Sequence, residues 1–424
     1  MTRPAFIAVA LALAATSAVA QPLPKAASPE EVGLSSQRLE RIGTALKEQI
    51  DKGQMPGAVV AIARKGKLAY FEAFGYRDKA SNAPMTTDAI FSIASMTKPL
   101  TSVAIMMLYE EGRLFIADPV GKYLPQLANM KVGVVKTDAN GKTVVETVAA
   151  NRQITIQDLL RHTSGLVYGG RGTTEIHKQY PASSAQSALT LTPAEFLDKL
   201  GRAPLYHQPA STWDYSLSVD VLGLVVEAVS GKKLGEFLAE RVFAPLGMVD
   251  SGFEVPASKQ SRYALALDAD PLTGKQQFVL HASGKPLKFD CGGGCGVSTA
   301  GDYLRFAQML LRRGELDGKR LLAPKTVDYM TSNHLAPDVL ARTTSTVLPT
   351  GYGFGLGFAV RLETGMSNLT GSKGDYNWGG AYGTYFWVDP QEDLVVVYMA
   401  HTPGDARIYG RNLIKSLVLQ AIVD

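Results

Sequence analysis

The stretch SIASMTKPLTS, residues 92–102, places a serine three positions before a lysine, with a proline next in line. On a helix, positions i and i+3 share a face, so Ser95 and Lys98 would set an amine beside a hydroxyl. Proline is tolerated only in the first turn, so Pro99 predicts a helix that begins at about Ser95. A serine hydroxyl needs a nearby base to become a nucleophile, and a helix N-terminus offers N–H groups to a developing negative charge. The stretch therefore predicts a nucleophilic serine at a helix start.

The same four-residue pattern occurs again at Ser230 and Lys233. There the serine is followed by Gly231 at the end of an apolar helical run, which is typical of a helix stop and not of a start. We therefore place the nucleophile at Ser95 and not at Ser230. The alternative interpretation of Ser95 is a helix cap followed by a solvated lysine.

The chain is large enough to bury such a pair in a shaped pocket. It has 424 residues, of which 46% are hydrophobic and 19% charged, and this predicts one extended or two intimately packed domains rather than disorder. The net charge of +4 is spread without basic blocks, so nucleic acid is not an expected partner. No segment is long and uncharged enough to predict a membrane span.

The N-terminus has the layout of a secretory signal. One basic residue, Arg3, precedes an apolar run at 5–15 and the small residues AVA at 18–20. We expect residues 1–20 to be removed by cleavage after Ala20. The mature protein is then expected in the periplasm or outside the cell.

Two cysteines, Cys291 and Cys295, bracket three glycines in DCGGGCGVST. In an exported protein they could form a disulfide, which would close only a five-residue loop and mainly stiffen a glycine-rich turn. A zinc site is less favoured, because four ligands at recognisable spacing are needed and no histidine cluster accompanies the pair.

Other cofactor patterns are missing from the sequence. The six histidines, at 162, 177, 207, 281, 334 and 401, form no H-E-x-x-H motif or close ligand pair, so no metal is expected. No G-x-x-x-x-G-K-[ST] or dinucleotide loop occurs, so we expect no nucleotide cofactor. No serine lies in G-x-S-x-G, the nucleophile elbow of α/β-hydrolases.

Strand and helix patterns recur at both ends of the chain. A helix to about Asp51 and strands at 57–64 and 67–77 are mirrored by strands within 351–361, 382–390 and 393–401 and by a final helix from 406. The pattern predicts one α/β domain built from residues 21–115 and 290–424. A mostly helical domain, residues 116–289, would be inserted into it. Within the insert, Asn140-Gly141 predicts a hairpin, and the polar stretch at 168–189 is typical of a lid, a binding loop or disorder.

Further motifs accompany Ser95. They are Tyr215-Ser216-Leu217, Trp378-Gly379-Gly380 before a strand, LLRHTSGL at 159–166 and CGVSTAGDYLRFAQMLL at 295–311. With them the sequence closely resembles the family VIII carboxylesterases, penicillin-recognising serine hydrolases that share the class C β-lactamase fold. The resemblance covers nearly all of the mature chain. It implies an α/β, β-lactamase/transpeptidase-like fold, with an antiparallel sheet flanked by helices and an inserted, mostly helical domain.

The resemblance also implies roles for single residues. Ser95 would be the nucleophile, Lys98 its activating partner, and Tyr215 the general base that returns the proton to the leaving group. A phenol acts as a base near neutrality only if a close cation stabilises its phenolate, which Lys98 could do. The backbone N–H groups of Ser95 and Ala381 would form the oxyanion hole. Whether Lys98 or Tyr215 accepts the serine proton stays open.

The Trp-Gly-Gly motif is expected to bind substrate. Gly379 and Gly380 would let a substrate pass close to the strand edge, and Trp378 would give an apolar wall for a small acyl or aryl group. Class C enzymes carry Y-x-N and K-T-G, whereas this chain has Leu217 and Trp378 at the asparagine and lysine positions and no K-T-G. The groups that would hold the amide and carboxylate of a β-lactam are therefore missing.

These features predict a monomeric, cofactor-free serine carboxylesterase for short-chain or aryl esters. Ser95 would be acylated, the alcohol released, and the acyl-enzyme hydrolysed by water. One alternative is a β-lactamase, D-amino peptidase or amidase on the same fold. The other is a non-catalytic peptidoglycan-binding or sensor protein, although such a protein would have no need for Ser95, Lys98 and Tyr215 together.

Overall fold

The computed structural model describes residues 23–343 and 345–424. The predicted secretory signal at 1–20 lies outside these residues. The strands in the described part are β1 (Gly57–Arg64), β2 (Lys67–Asp78), β3 (Ala83–Pro84), β4 (Phe91–Ala94), β5 (Lys131–Thr137), β6 (Thr143–Ala149), β7 (Gly296–Ser298), β8 (Glu315–Leu316), β9 (Lys319–Arg320), β10 (Tyr352–Phe354), β11 (Ala359–Arg361), β12 (Tyr376–Gly379), β13 (Tyr385–Asp389) and β14 (Leu394–Ala400). The α-helices are α1 (Ser36–Asp51), α2 (Thr97–Glu110), α3 (Ile156–Leu160), α4 (Ser184–Thr190), α5 (Pro193–Arg202), α6 (Ser218–Ser230), α7 (Leu234–Leu238), α8 (Ala244–Leu246), α9 (Ala300–Leu311), α10 (Pro324–Met330), α11 (Pro337–Ala341) and α12 (Ala406–Leu419). Across the described ranges, no helix has the length and apolar character needed to cross a membrane.

The main sheet of the described chain has eight strands in the order β10-β11-β12-β13-β14-β1-β2-β3. All neighbouring strands are antiparallel. Near the middle, β1 pairs with β14, where Val60 lies opposite Tyr398. The prediction that strands from both ends of the chain build one sheet is therefore confirmed. The antiparallel sheet flanked by helices is the predicted fold class.

Both faces of the sheet are covered, and the side chains of β1 alternate between them. Val60 and Ile62 pack with the apolar faces of α1 and α12, while Val59 and Ala61 belong to the larger core that includes α2 and α9. Successive side chains of a strand point to opposite faces, so a strand covered on both sides is apolar throughout. Every residue of β1 is accordingly buried.

The amphipathic pattern of the first helix is also confirmed. The helix α1 begins where Ser35 accepts a hydrogen bond from the backbone N–H of Arg38, and it ends at Asp51. Its buried residues repeat at steps of three and four and are Leu39, Ile42, Leu46 and Ile50. This spacing places them on one face of the helix, against the sheet.

Residues 116–289 form the helices α3 to α8 and a hairpin. The hairpin pairs β5 with β6 around Asn140-Gly141, as predicted. The motif at 159–166 contains only the end of a helix, because α3 spans Ile156–Leu160 and His162 adopts a positive φ of 56°. The domain boundaries at 115/116 and 289/290 stay predictions.

Candidate active site

Ser95 lies in a tight turn between β4 and α2. Ala94, the residue before it, has a φ of +44°, a left-handed conformation that is costly for a residue with a Cβ atom. The turn is held by Thr97, whose hydroxyl donates to the carbonyl of Ala94 at 2.7 Å and accepts from the N–H of Gly296 at 2.9 Å. The helix begins at Thr97, two residues later than predicted, with Lys98 and Pro99 in its first turn. Ser95 is thereby presented at the helix N-terminus.

Lys98 is buried, with 1% of its surface exposed. Its Nζ donates to the Oγ of Ser95 at 3.3 Å, to the OH of Tyr168 at 3.1 Å and to the carbonyl of Gly293 at 2.6 Å. An ammonium group has three N–H donors, so these three acceptors satisfy it completely. The Nζ also lies 4.4 Å from the ring centroid of Tyr215. The structure thus brings together Ser95, Lys98 and Tyr215, the three residues with predicted catalytic roles.

The ammonium of Lys98 belongs to a closed ring of hydrogen bonds, which we call the Lys98 ring. It consists of Lys98, Tyr168, Ser184, Asp220 and Gly293. The OH of Tyr168 bonds the Oγ of Ser184 at 2.9 Å, and Ser184 donates to Asp220 at 2.8 Å. Asp220 also accepts from the N–H of Gly293 at 3.0 Å, and the carbonyl of Gly293 closes the ring. A buried charge is tolerated where it is paired and hydrogen-bonded, and this ring supplies both conditions.

The groups around Lys98 have shifted proton affinities. Burial raises the pKa of Asp220 to about 6, although the charge of Lys98 and the hydrogen bond from Ser184 favour the carboxylate. Burial also raises the pKa of Tyr168 well above that of a free phenol, so this residue stays neutral. Burial and the charge of Lys98 hold the pKa of His162 well below its usual range. A neutral imidazole therefore lies beside Tyr215.

The ionisation of Asp220 should appear in the pH dependence of kcat/KM. Because its carboxylate balances Lys98 through Ser184 and Tyr168, we expect activity to fall as the pH drops below about 6. In Asp220→Asn, kcat/KM should no longer decrease below about pH 6, and its value at higher pH should be lower than in the wild type. The folded-state pKa lies above the unfolded value of 3.8, so the contribution of Asp220 to stability is present below that value and lost as pH rises through about 6. Initial rates and thermal melts between about pH 4 and pH 8 measure both effects.

Asp302→Asn is the matched control for this prediction. Burial raises the pKa of Asp302 to about 6 as well, but its partners are the N–H of Asp250 and the hydroxyl of Ser251, away from the pocket. In this variant, kcat/KM should still decrease as the pH falls below about 6. If the decrease in kcat/KM at acidic pH persists in Asp220→Asn, or disappears in Asp302→Asn, then the ionisation of Asp220 is not its cause.

Tyr215 is held by a cluster of aromatic rings. Its OH accepts a hydrogen bond from the indole N–H of Trp378 at 3.3 Å. The ring centroids of His162 and Trp378 lie 4.8 Å and 5.3 Å from that of Tyr215, and Trp213 stacks on it at 6.3 Å. Such packing leaves the phenol little freedom to rotate. The ring is therefore held in one orientation, with the Nζ of Lys98 facing it at 4.4 Å from its centroid.

Ser95, Tyr215 and Ala381 line one cavity of about 310 Å³. Its wall is mainly apolar, and the residues that complete it are Ala94, Tyr168, Arg171, Ala182, Ser183, Ser184, Ala185, Phe278, Gly293, Gly294 and Tyr382. Within the described residues, no backbone hydrogen bond occupies the N–H of Ser95 or of Ala381. The oxyanion hole that the resemblance implied at these two N–H groups stays a prediction. The volume is at the lower end of the range for small-molecule sites, which fits a small acyl group.

The predicted substrate-binding residues lie elsewhere. None of Trp378, Gly379 and Gly380 lines this cavity; Trp378 lies behind Tyr215 and, with Gly379, borders a second cavity of about 710 Å³. A Cβ atom at Gly379 would come within 2.6 Å of the guanidinium carbon of Arg411, and one at Gly380 within 2.3 Å of the carbonyl oxygen of Ile93. Backbone of the protein itself leaves no room for a side chain at Gly380, and at Gly379 a side chain would displace the guanidinium of Arg411.

Sequence reasoning assigned no role to Tyr168, Ser184, Asp220 or Phe278. Tyr168 and Ser184 belong to the polar stretch at 168–189, which folds over the pocket with both side chains buried. Asp220 follows Tyr215 by five residues and lies in the first turn of α6. The one signal in the sequence was a carboxylate within the otherwise apolar run at 219–226, and the structure shows that this position is fully buried.

The structure joins Cys291 and Cys295 in a disulfide, with their Cα atoms 5.2 Å apart. The short loop that it closes contains Gly293, whose N–H and carbonyl both take part in the Lys98 ring. The disulfide therefore stiffens the segment that holds the ammonium. The described residues include no group of His, Cys, Asp and Glu side chains arranged to hold a metal ion.

The chain is similar to several known proteins. Residues 42–418 match the family model Beta-lactamase. An uncharacterized protein of Mycobacterium tuberculosis is 37% identical over 366 residues, covering 85% of this chain and 89% of that protein. The esterase EstB of Burkholderia gladioli is 28% identical over 380 residues, covering 85% and 90%. The solved structure of EstCE1, a hydrolase with promiscuous acyltransferase activity, gives a TM-score of 0.73 at 26% identity, covering 92% of this chain and 99% of that one. The chain therefore belongs to the β-lactamase family of serine hydrolases, as a relative of the family VIII esterases.

Proposed function

We propose that this protein is a serine carboxylesterase that cleaves short-chain or aryl esters through an acyl-enzyme on Ser95. One observation carries the proposal: the Oγ of Ser95 lies 3.3 Å from the buried Nζ of Lys98, in a cavity shared with Tyr215 and Ala381. The names of two relatives support it, since EstB is an esterase and EstCE1 a hydrolase.

In the proposed acylation, the Oγ of Ser95 attacks the carbonyl carbon of the ester while its proton passes to the Lys98 and Tyr215 pair. The N–H groups of Ser95 and Ala381 stabilise the tetrahedral oxyanion. When this intermediate collapses, the bond to the alcohol oxygen breaks, and the same proton passes to the departing alcohol. Water then attacks the acyl-Ser95 ester by the reverse sequence, which releases the carboxylic acid and restores the hydroxyl.

The pocket favours a neutral ester over a β-lactam. Leu217, at the position of the lactamase asparagine, is fully buried and offers no amide to a substrate. Trp378, at the position of the lysine, donates its N–H to Tyr215 and offers no ammonium. Tyr168, Phe278 and Tyr382 give the cavity aromatic walls that suit an apolar acyl group.

We also propose that the mature protein acts as an exported monomer. The layout of residues 1–20 and the Cys291–Cys295 disulfide support export, because disulfides persist in oxidising compartments. Cell fractionation of the native host tests the location, and the mass of the purified protein in light scattering tests the oligomeric state.

The test of the function compares p-nitrophenyl butyrate with nitrocefin as substrates of the purified mature protein. We expect kcat/KM for the ester to exceed that for nitrocefin by about 10²-fold or more, because the β-lactam amide and carboxylate find no partners. Mass spectrometry of protein quenched during ester turnover should show the butyryl group on the tryptic peptide 80–113, localised by fragmentation to Ser95.

Each other outcome points to a different function. Faster turnover of nitrocefin would identify a β-lactamase despite Leu217 and Trp378. Turnover of neither substrate, with no adduct on the peptide, would favour the non-catalytic alternative. An acyl group on another residue would mean that Ser95 is not the nucleophile.

A further inference from the structure

Arg411, on α12, contacts the strand segment that precedes Ala381. Its Nη2 donates to the carbonyl of Gly380 and, at 3.1 Å, to the carbonyl of Thr384. Both acceptors are main-chain oxygens and not carboxylates. The Nε of Arg411 is buried without a partner among the described residues. A cation in such a place is costly, so a structural or functional gain must offset its burial.

The carbonyl of Gly380 and the N–H of Ala381 belong to one peptide unit. The described residues contain no cis peptide bond, so these two groups point in opposite directions across the peptide plane. With the carbonyl directed to Arg411 on α12, the N–H of Ala381 is directed to the other side, where Ala381 lines the cavity with Ser95. The guanidinium therefore contributes, together with the N–H of Gly383, to fixing the direction of the predicted oxyanion donor.

Arg411 adds a restraint on this peptide unit from outside the turn. Gly380 has no side chain, and glycine populates more backbone conformations than other residues. The turn itself is held by bonds from Gly383 N–H to Gly380 carbonyl at 3.1 Å and from Gly380 N–H to Thr384 carbonyl at 2.9 Å. The guanidinium binds both carbonyls and so connects the turn to α12. The glycine at 379 gives it room to do so, because a Cβ there would clash with it.

A cationic donor also changes the strength of the opposite group. Charge-assisted hydrogen bonds are roughly twice as strong as neutral ones, and hydrogen bonds in a chain polarise each other. Electron density drawn to the carbonyl of Gly380 makes the N–H of Ala381 a better donor to a negative oxygen. The effect grows as charge develops on the substrate, so it stabilises the transition state more than the bound ester.

We propose that Arg411 is a positioning residue for the oxyanion hole, which holds and polarises the Gly380–Ala381 peptide through its bond to the Gly380 carbonyl. The inference rests on the proposed esterase function. It adds a residue that does not touch the cavity of Ser95 and that no sequence motif indicated.

Arg411→Ala should lower kcat for p-nitrophenyl butyrate by about 10²-fold while KM changes by less than about threefold. The affinity of butylboronic acid, which forms a tetrahedral adduct on Ser95, should fall by a similar factor. Methylguanidinium added at millimolar concentration should restore at least about tenfold of the lost kcat, because the deleted side chain leaves a space of matching shape and charge. A merely structural residue would show neither this rescue nor the separation of kcat from KM.

Arg407→Ala is the control for loss of a nearby cation. Arg407 lies one turn earlier on α12 and donates to the carbonyl of Gly404, so its removal should leave kcat within about twofold. If Arg411→Ala does not fold, Arg411→Met keeps the aliphatic packing, and its kcat and boronate affinity replace the first measurement.

The proposal is overturned if kcat in the Arg411 variant stays near the wild-type value, if Arg407→Ala causes the same loss, or if methylguanidinium restores nothing. These outcomes are distinct from failure of the proposed function, which would show as ester turnover that survives in Ser95→Ala.

Discussion

Ser95→Ala is expected to lower kcat/KM for p-nitrophenyl butyrate by about 10⁴-fold or more, because it removes the atom that bonds to the substrate carbonyl. The hydroxyl is replaced by a hydrogen atom, so no acyl-enzyme can form. Residual turnover would come from the oxyanion donors and from binding alone. Initial rates and mass spectra of the quenched protein measure the two parts of the prediction. The unfolding midpoint should change little, since Ser95 is only half-buried and bonds Lys98 at 3.3 Å.

Ser230→Ala is the matched control, since Ser230 and Lys233 form the second S-x-x-K sequence of the chain. Ser230 ends α6, and the helix is followed by Gly231 in the left-handed conformation, as its sequence predicted. Activity in this variant should equal that of the wild type. Ester turnover that survives Ser95→Ala, or that is lost in Ser230→Ala, would contradict the assignment of the nucleophile.

Tyr215→Phe is expected to lower kcat by about 10²- to 10⁴-fold, the usual contribution of a general acid–base group. The ring and its contacts with Trp213 and Trp378 are preserved, so the shape of the pocket should not change. The variant loses the oxygen that can carry a proton between Ser95 and the departing alcohol. The indole N–H of Trp378 loses its acceptor, which should cost about 1 kcal/mol of stability. Steady-state kinetics and a thermal melt test the two effects separately.

Tyr180→Phe controls for the loss of a buried phenol oxygen. The OH of Tyr180 donates to the carbonyl of Pro204 at 3.0 Å, and the residue does not line the cavity. We expect a similar loss of stability with unchanged kcat. Near-full activity in Tyr215→Phe would remove Tyr215 from the mechanism and leave Lys98 as the base.

The sequence predicted best what depends on neighbouring residues. The i, i+3 spacing of Ser95 and Lys98, with Pro99 in the first turn, predicted from one short segment that the hydroxyl and the amine lie together. Short apolar runs predicted central strands of the sheet such as β1 and β14, and the 3.6-residue period predicted α1. The places of Tyr215 and Ala381 depended on the family resemblance, because nothing local to either residue connects it to Ser95.

The Lys98 ring could not be predicted in the same way. Tyr168, Ser184, Asp220 and Gly293 come from four segments of the chain, and only tertiary packing brings them to one ammonium. A hydrogen bond between distant segments leaves no periodic pattern in the sequence, and a polar residue in a loop resembles any solvated residue there. The polar stretch at 168–189 was open to several interpretations for this reason, and its folded form covers the pocket.

The Trp-Gly-Gly motif shows a related difficulty. A glycine in a strand indicates that something approaches the backbone closely, but not what approaches. At Gly379 it is the guanidinium of Arg411, and at Gly380 the carbonyl of Ile93. Trp378 likewise contacts Tyr215 and not the cavity that contains Ser95.

The pairing of β1 with β14 has a consequence for how the protein is made. Residues 58 and 400 are neighbours in the sheet, so the hairpin of β1 and β2 leaves the ribosome roughly tens of seconds before its partner strand is synthesised. During that time β1, which is buried on both faces in the folded protein, is exposed to solvent. We expect that chaperones, or a delay in the collapse of the nascent chain, prevent its aggregation. Long-range pairing of this kind also predicts slow refolding in vitro. Any truncation before residue 394 would remove a strand from the interior of the sheet and not from its edge, so we expect insoluble protein from such a deletion.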